Sequence, residues 1–454
     1  MTREIRQHRR TFLQTAAAAG AGFWAAGGVT GRSKAALANG EISFACIGID
    51  GKGKSDTADA SRHGNVVAIC DVDDNILRRS GLGYPKAQKF HDFRKMLDDF
   101  GKSIDAVTVS TPDHTHAPAS VMAMRMGKHC FTQKPLTHSV YEARVMAQVA
   151  KESKVATQMG NQGTSENSLR KSAAIIKSGI LGKISEVHVW TNRPVWAQGG
   201  DRPAEKPAPD YLKWDLWLGP APARPYADGY HRFSWRGWWD FGTGALGDMA
   251  CHTLNMPYMA LNLRDPVSVE AETSGHNKDS YPKKSRIRYD FPTLGDRPAV
   301  AMYWYDGGNR PSPDILPGSK HFKGNYNGIV GRGSLVIGDK GTFFSAGDYG
   351  GDTNNSGVLA DGEFRNLNAF SDDKYKYTRS PGHFKEFAEA IKGGPAAVSN
   401  FPEYAGGLTE TVLLGNLAVW AGGKVEWDAK AMKPTGGSDL ERIIKREYRD
   451  GYKL

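Results

Sequence analysis

The chain has four cysteines in 454 residues, Cys46, Cys70, Cys130 and Cys251, and none stands at metal-ligand spacing from another. The first three fall in or beside apolar runs, which reads them as small buried residues rather than disulfides. A dense Lys/Arg block is missing despite the net charge of +10, and this argues against a nucleic-acid partner. No run beyond the N-terminus is apolar enough for a transmembrane helix. There is no internal repeat. What is present is ordinary for a globular chain, 39% hydrophobic and 24% charged, at a length sufficient for two domains with sizeable cores.

Half of the positive excess sits at the start. Residues 1–38 carry Arg3, Arg6, Arg9, Arg10, Arg32 and Lys34 against Glu4. Arg9-Arg10-Thr11-Phe12-Leu13-Gln14 resembles the twin-arginine export signature. A mildly apolar Ala/Gly-rich run, Ala16 to Val29, follows it, and Ala36-Leu37-Ala38 has the small-x-small form of a cleavage site. The expectation is a signal peptide over 1–38, the twin-arginine machinery as a partner, and a periplasmic or otherwise exported chain with no membrane span after processing. The alternative is a basic tail.

The stretch that organises the remainder is 42–71. Ile42 to Ile47 reads as a buried strand stopped by Gly48, Gly51 and Gly53. A polar stretch of helical length and a second apolar run, Val66 to Cys70, lead to Asp71. Strand, glycine turn, helix, strand and acid form the first half of a dinucleotide-binding unit. The glycines admit a pyrophosphate close to the backbone, and the helix offers it free N–H groups and its positive end. Asp71 stands where a carboxylate takes the ribose hydroxyls and repels a 2′-phosphate, so NAD is favoured over NADP. Asp50 occupies the second glycine of G-x-G-x-x-G, an unfavourable neighbour for phosphate unless it points away.

Further along, Asp105 to Val109 and Val155 to Met159 read as strands, with helices over Ala117–Met126 and Ser139–Ser153. The alternation predicts a parallel sheet covered on both faces, with ligands at the strand C-termini. Thr111-Pro112-Asp113-His114-Thr115-His116 and Gln133-Lys134-Pro135 belong at those ends. Taken with Gly127-Lys128-His129 and the run Trp238 to His252, which ends Asp248-x-x-x-His252, they resemble the Gfo/Idh/MocA oxidoreductase family. That family has Thr-Pro-Asn-x-x-His and Glu-Lys-Pro at the corresponding places. The resemblance implies an α/β chain: an N-terminal Rossmann doubly wound parallel sheet over 40–163, then an α+β domain with an open antiparallel sheet over 164–454. It also implies a homo-oligomer. Gln133 departs from the pattern, so Lys134 lacks the ion-pair neighbour a glutamate would supply.

These readings give a cofactor set of Gly48, Asp50, Gly51, Lys52, Gly53, Asp71, Ser110, Thr111, Pro112, His114, His116, Gln133, Lys134, Asn161 and Gln162. Lys134, Asp248 and His252 are the catalytic candidates and also meet substrate. A lysine before proline at a strand end turns into the cleft and can hold a hydroxyl or exchange its proton. Asp248 and His252 are four apart and share a helix face, where an imidazole can take an alcohol proton. A surface lysine and a surface Asp/His pair are the plain alternatives. His114 and His116 are assigned to the cofactor cleft, and no metal is expected.

Residues 190–239 hold seven of the 11 tryptophans. Indole faces pack on sugar rings, or they fill a core. Trp196, Trp238 and Trp239, with Arg193, are taken as substrate contacts. Pro203 to Pro225 reads as an irregular arm able to cap this site or a neighbouring subunit's. From Val267 the pattern turns to alternating strands, and the loops 307–333 and 347–380 are long enough to suspect substrate roles. The function expected is NAD-dependent oxidoreduction of a sugar, polyol or glycoside hydroxyl with a tightly held cofactor, since an exported enzyme meets no soluble NAD pool. Two others stay open: a redox-neutral glycosidase or lyase acting through a keto-sugar and elimination, and a sugar-binding protein on an inactive dehydrogenase fold.

Overall fold

A computed structural model describes residues 40–435 and 440–454; the export signal expected over 1–38 lies outside them. Strand β1 (Ile42–Ile47) is buried at every position but Ser43. It pairs in parallel with β2 (Gly64–Cys70) on one side and β4 (Ala106–Val109) on the other. The full order is β3 (Gln88–Phe90), β2, β1, β4, β5 (His129–Thr132), β6 (Thr157–Met159). Chain order reverses between β1 and β4, the switch point where such sheets open a crevice.

Register sets what the crevice holds. Ile47 is level with both Cys70 and Val109, and Val109 is level with Thr132. The residues that follow these strand ends, Gly48, Asp71, Ser110 and Gln133, therefore form one row along the sheet edge.

Helices α1 (Lys52–His63), α2 (Asp74–Gly81), α3 (Phe93–Phe100), α4 (Asp113–Arg125) and α5 (Val140–Ser153) connect the strands. Ser139 and Glu142 close a capping box on α5, at the position the sequence suggests. Helix α4 starts a turn earlier than its expected start at Ala117. Pro112 fixes φ just before it and Asp113 favours the first turn. Pro118 inside α4 cannot donate to the carbonyl of His114, and Arg446 takes that oxygen instead.

The second sheet has ten strands. It contains β7 (Ile184–Trp190), β8 (Ser268–Thr273), β9 (Ser285–Phe291), β10 (Val300–Tyr305), β11 (Gly333–Gly338) and β12 (Gly341–Ala346) in the order β12-β11-β7-β10-β9-β8. Beyond β12 lie β13 (Gly357–Ala360) and β14 (Glu363–Asn366), and beyond β8 lie β15 (Lys424–Asp428) and β16 (Lys433–Pro434). It is mixed rather than wholly antiparallel: β7 and β10 run parallel. The sequence expectation begins the sheet at Val267, yet its central strand is β7. The strands flanking β7 arrive more than a hundred residues later, so nothing local marks it as central.

Helix α6 (Asn167–Lys177) enters this half, and α7 (Gly244–Thr253) and α8 (Asn255–Leu261) run between the sheets' cores. After α9 (His383–Ile391), α10 (Gly406–Ala421) is buried almost all round. A Cβ at Gly415 would lie 2.1 Å from the Tyr289 hydroxyl, so only glycine lets α10 lie this close to β9. One apolar cluster runs from Ala45 and Val107 of the first sheet through Leu246 and Met249 to Val336 and Phe343 of the second. All four cysteines are free and buried. Among the described residues no helix is long and apolar enough to cross a membrane.

Candidate active site

A cleft of about 470 Å³ opens along the row of strand ends. Gly48 has φ +75°, and a Cβ there would meet the Ser110 carbonyl at 2.7 Å. A Cβ at Gly53 would lie 2.0 Å from the Gly48 carbonyl, so β1, β4 and α1 close up only around glycine. No side chain caps α1, and its start at Gly51 and Lys52 lines the cleft. Asp71 is buried, accepting from the amides of Ile49 and Asp73 at 3.1 Å each. Burial nonetheless pushes its carboxyl up to about 6.

Asp50 does not confront the phosphate cradle as a bare charge. Arg79 lies 3.1 Å away and Arg232 also pairs with it, and these partners outweigh partial burial in holding its carboxyl below the usual range. A glycine turn, a helix N-terminus with no side-chain cap and a buried acceptor carboxylate at the end of β2 are the groups a dinucleotide requires, and these residues fit one.

Gln133, on the floor of the cleft, donates from Nε2 to Asp56 Oδ2 at 2.8 Å. Asp56 lies on α1, is buried, and also accepts from Ser110 Oγ at 2.7 Å and pairs with Lys52. Gln133 thus carries its amide onto the Asp56 carboxylate, and the ion-pair partner of Lys134 is Asp248 instead.

Next to it Lys134 Nζ donates to the Asp248 carboxylate and to the Asp248 carbonyl, both at 2.8 Å. Arg236 Nε reaches the same Oδ1 at 3.1 Å while its guanidinium stacks on Trp235 and Phe233. Burial alone would raise the Asp248 carboxyl; the two cations override it and hold it far below the usual range. His252, one turn on along α7, lines the cleft. Burial and nearby Lys134, Lys52 and Arg193 keep its imidazole neutral to well below its ordinary value. Asp113 also lines the cleft, accepts from Thr243 Oγ1 at 2.6 Å, and is pushed by burial up to about 7.

The structure brings together Gly48, Asp50, Gly51, Lys52, Asp71, Ser110, Thr111, Pro112, Gln133, Lys134, Gln162 and His252 on the cleft wall, with Gly53 and Asp248 directly behind. Seven other expected cofactor and substrate contacts do not line it: His114, His116, Asn161, Arg193, Trp196, Trp238 and Trp239. His114 is fully buried, its ring nitrogens 3.1 and 2.9 Å from the Phe241 and Trp217 carbonyls, and His116 faces the Pro135 and Thr111 carbonyls. Burial takes them down to about 3 and about 4, so each is a neutral ring that donates to one of its two carbonyls. Trp238 packs on Tyr230, and Trp239 stacks on Tyr281 with centroids 3.8 Å apart, both in the core.

Asn161 is buried behind Gln162, accepting from Ser399. Trp196 bonds Gln198 at the rim, and Arg193 is half-buried with its charge acting on His252. Asp56, Asp113, Arg236 and Tyr349 are absent from the sequence-derived set. For Asp113 the signal was visible, an acid where the family pattern has Asn.

Of the expected arm only Trp217, in the short helix Trp214–Leu218, reaches the cleft, and the rest of the roof comes from residues 231–236. The Lys213 amide bonds the Val72 carbonyl at 2.9 Å, and the Asp74 amide bonds Tyr211 at 2.8 Å. Lys213 Nζ reaches Asp74 at 2.8 Å and His231 reaches Asp73 at 3.2 Å. Trp217, His231, Arg232, Phe233 and Trp235 complete the wall.

A parallel sheet with a glycine turn, a ribose-type carboxylate and a Lys/Asp/His cluster beyond it define the class of dinucleotide-binding oxidoreductases. Residues 42–161 match the model for the oxidoreductase family's NAD-binding Rossmann fold, and 164–296 match its C-terminal alpha/beta domain, together more than half of the chain. The chain belongs to the Gfo/Idh/MocA oxidoreductase family. It is 26% identical over 165 residues to a levoglucosan dehydrogenase of Pseudarthrobacter phenanthrenivorans, covering 36% of this chain and 34% of that one. It is 29% identical over 205 residues to a glycosyl hydrolase family 109 protein of Saccharopolyspora erythraea, 39% of this chain and 44% of that one. The chain thus spans between a third and a half of the length of these curated relatives. The fold matches that of the WlbA dehydrogenase from Bordetella pertussis, solved with NADH and UDP-GlcNAcA, with a TM-score of 0.57 at 16% identity over 86% of this chain and 99% of that one.

Proposed function

We propose that this protein is an NAD-dependent oxidoreductase acting on a hydroxyl of a sugar, polyol or glycoside, with its cofactor tightly held. The observation that carries this is the Lys134–Asp248 pair, 2.8 Å apart, set with His252 in the same cleft as the glycine turn and Asp71. NAD, when bound, supplies hydride exchange with a carbinol carbon. Gly48, Gly51 and the α1 amides would hold its phosphates and Asp71 its ribose hydroxyls.

The residues of the chain divide the rest. Asp248 anchors Lys134, whose ammonium can hold the reacting oxygen and stabilise negative charge on it. His252 meets the same oxygen across the cleft and exchanges a proton with it. The aromatic roof excludes water, and its bonds to Asp50, Asp73 and Asp74 favour retention of the nucleotide.

The twin-arginine motif and the small-residue site at 36–38 support export to the periplasm, and the family resemblance supports a homo-oligomer. Both belong to this proposal.

The test is absorbance at 340 nm with NAD and a panel of sugars, polyols and glycosides. Substrate-dependent NADH formation supports the reading. Cleavage of an aryl glycoside with no net NADH would replace it with the redox-neutral route. No response to any member would leave neither.

A further inference from the structure

Tyr349 stands on the segment between β12 and β13, in one of the loops whose length suggests a substrate role. Its hydroxyl is 2.6 Å from Nδ1 of His252, and its ring meets the imidazole edge-on with centroids 5.0 Å apart and planes at 89°. The ring is seated on Gly163, where a Cβ would lie 1.9 Å from Tyr349 Cδ1. Gly163 directly follows Gln162 of the cleft wall. Tyr349 therefore bridges the end of the first sheet and the candidate proton carrier of the second half.

Among the described residues the Tyr349 hydroxyl has no other hydrogen-bond partner, so donation to Nδ1 is the arrangement that satisfies its O–H. The phenol is held in its protonated form by burial and by Asp348 and Asp248 nearby. A neutral imidazole has one acceptor nitrogen and one donor nitrogen, so filling Nδ1 from outside leaves the proton on Nε2.

We propose that Tyr349 is a positioning residue that fixes the tautomer of His252, donating to Nδ1 so that Nε2–H faces the cleft as a hydrogen-bond donor. Among the described residues no protein group bonds Nε2, which is left for a ligand oxygen. Resting on the carbohydrate reading above, that oxygen is the carbonyl of a keto-sugar or the alkoxide developing from it. His252 then enters the reaction as a neutral donor, and the general-base role expected of it requires Tyr349 first to rotate and accept from Nδ1.

The charged groups facing His252 are Lys134, Lys52 and Arg193 on one side of the balance and Asp248 on the other, with Tyr349 beyond Nδ1. A bond to the lone pair of the neutral ring disfavours the imidazolium. Removing the phenol hydroxyl should therefore let His252 take up a proton at higher pH.

The test is nitrogen NMR of the full chain labelled with 15N-histidine, the His252 signal being assigned by its loss in His252→Asn. The expected spectrum has Nε2 protonated and Nδ1 as a hydrogen-bonded acceptor. In Tyr349→Phe it becomes a mixture of tautomers, with kcat down roughly tenfold, KM little changed, and the acid limb of the rate profile moved up in pH. Gly163→Ala, which displaces the ring but keeps the phenol, should give the same mixture. A proton on Nδ1 in the wild type, or an unchanged tautomer in both variants, overturns the proposal. The NMR result needs no substrate, so the predicted tautomer in a protein that turns over no sugar would count against the proposed function alone.

Discussion

Gln133 and Asp56 meet through a 2.8 Å hydrogen bond that joins the β5 end to α1 inside the cofactor cleft. The amide gives Asp56 a donor where a glutamate would give it a second negative charge. Gln133→Glu should therefore destabilise the fold by on the order of 2 kcal/mol and weaken nucleotide binding, because two buried carboxylates would share one site. Adding Asp56→Asn to that variant should restore most of both. Urea denaturation of the four proteins gives the coupling directly, and additive effects would show that the pair is not a unit.

Lys134→Ala removes one of two cations from Asp248 and leaves Arg236 at 3.1 Å. The carboxylate stays paired, so the chain should fold and keep its nucleotide while turnover falls a hundredfold or more. Steady-state rates and the released nucleotide, measured on the same preparation, check both halves. A rate within threefold of wild type would remove Lys134 from the reaction.

Asp113 gives a pH prediction. Its folded carboxyl titrates at about 7 against an ordinary 3.8, raised by burial. A carboxyl raised on folding adds stability that is fully present below about pH 4 and is lost as pH climbs through 7. Asp113→Asn should therefore match the wild type at acid pH and gain on it by on the order of 2 kcal/mol at pH 8. Burial of neutral His114 and His116 acts oppositely in both proteins, costing stability as pH falls below 6.5, and cancels in the difference. Denaturation curves across pH 4–8 measure it; parallel curves would refute it.

The first sheet was legible where its strands are short, apolar and followed by glycine, proline or acid, as β1, β2 and β4 are; β3, Gln88-Lys89-Phe90, is mostly polar and went unmarked. Lys134, Asp248 and His252 were legible through the resemblance to the family's motifs, spacing alone placing only Asp248 and His252 on one helix face. What local sequence did not mark was set by distant partners. Strand β7 is central only because β10 and β11 pair on either side of it. His114 and His116 look like ligands until the carbonyls of Pro135, Thr111, Trp217 and Phe241 surround them. Trp238 and Trp239 carry the chemistry of a sugar platform, yet the arm and β-sheet cores claim them. Asp56, Arg236 and Tyr349 lie 77, 102 and 215 positions from Gln133, Lys134 and Lys134 respectively, and nothing local ties them to the site.

The most direct test of a nucleotide-dependent redox site is the nucleotide itself. The full chain, purified without added cofactor, is denatured and its supernatant resolved by chromatography with absorbance at 260 and 340 nm. Stoichiometric NAD(H) is the predicted result. A protein that releases none and fails to bind added NAD would contradict the account at its centre.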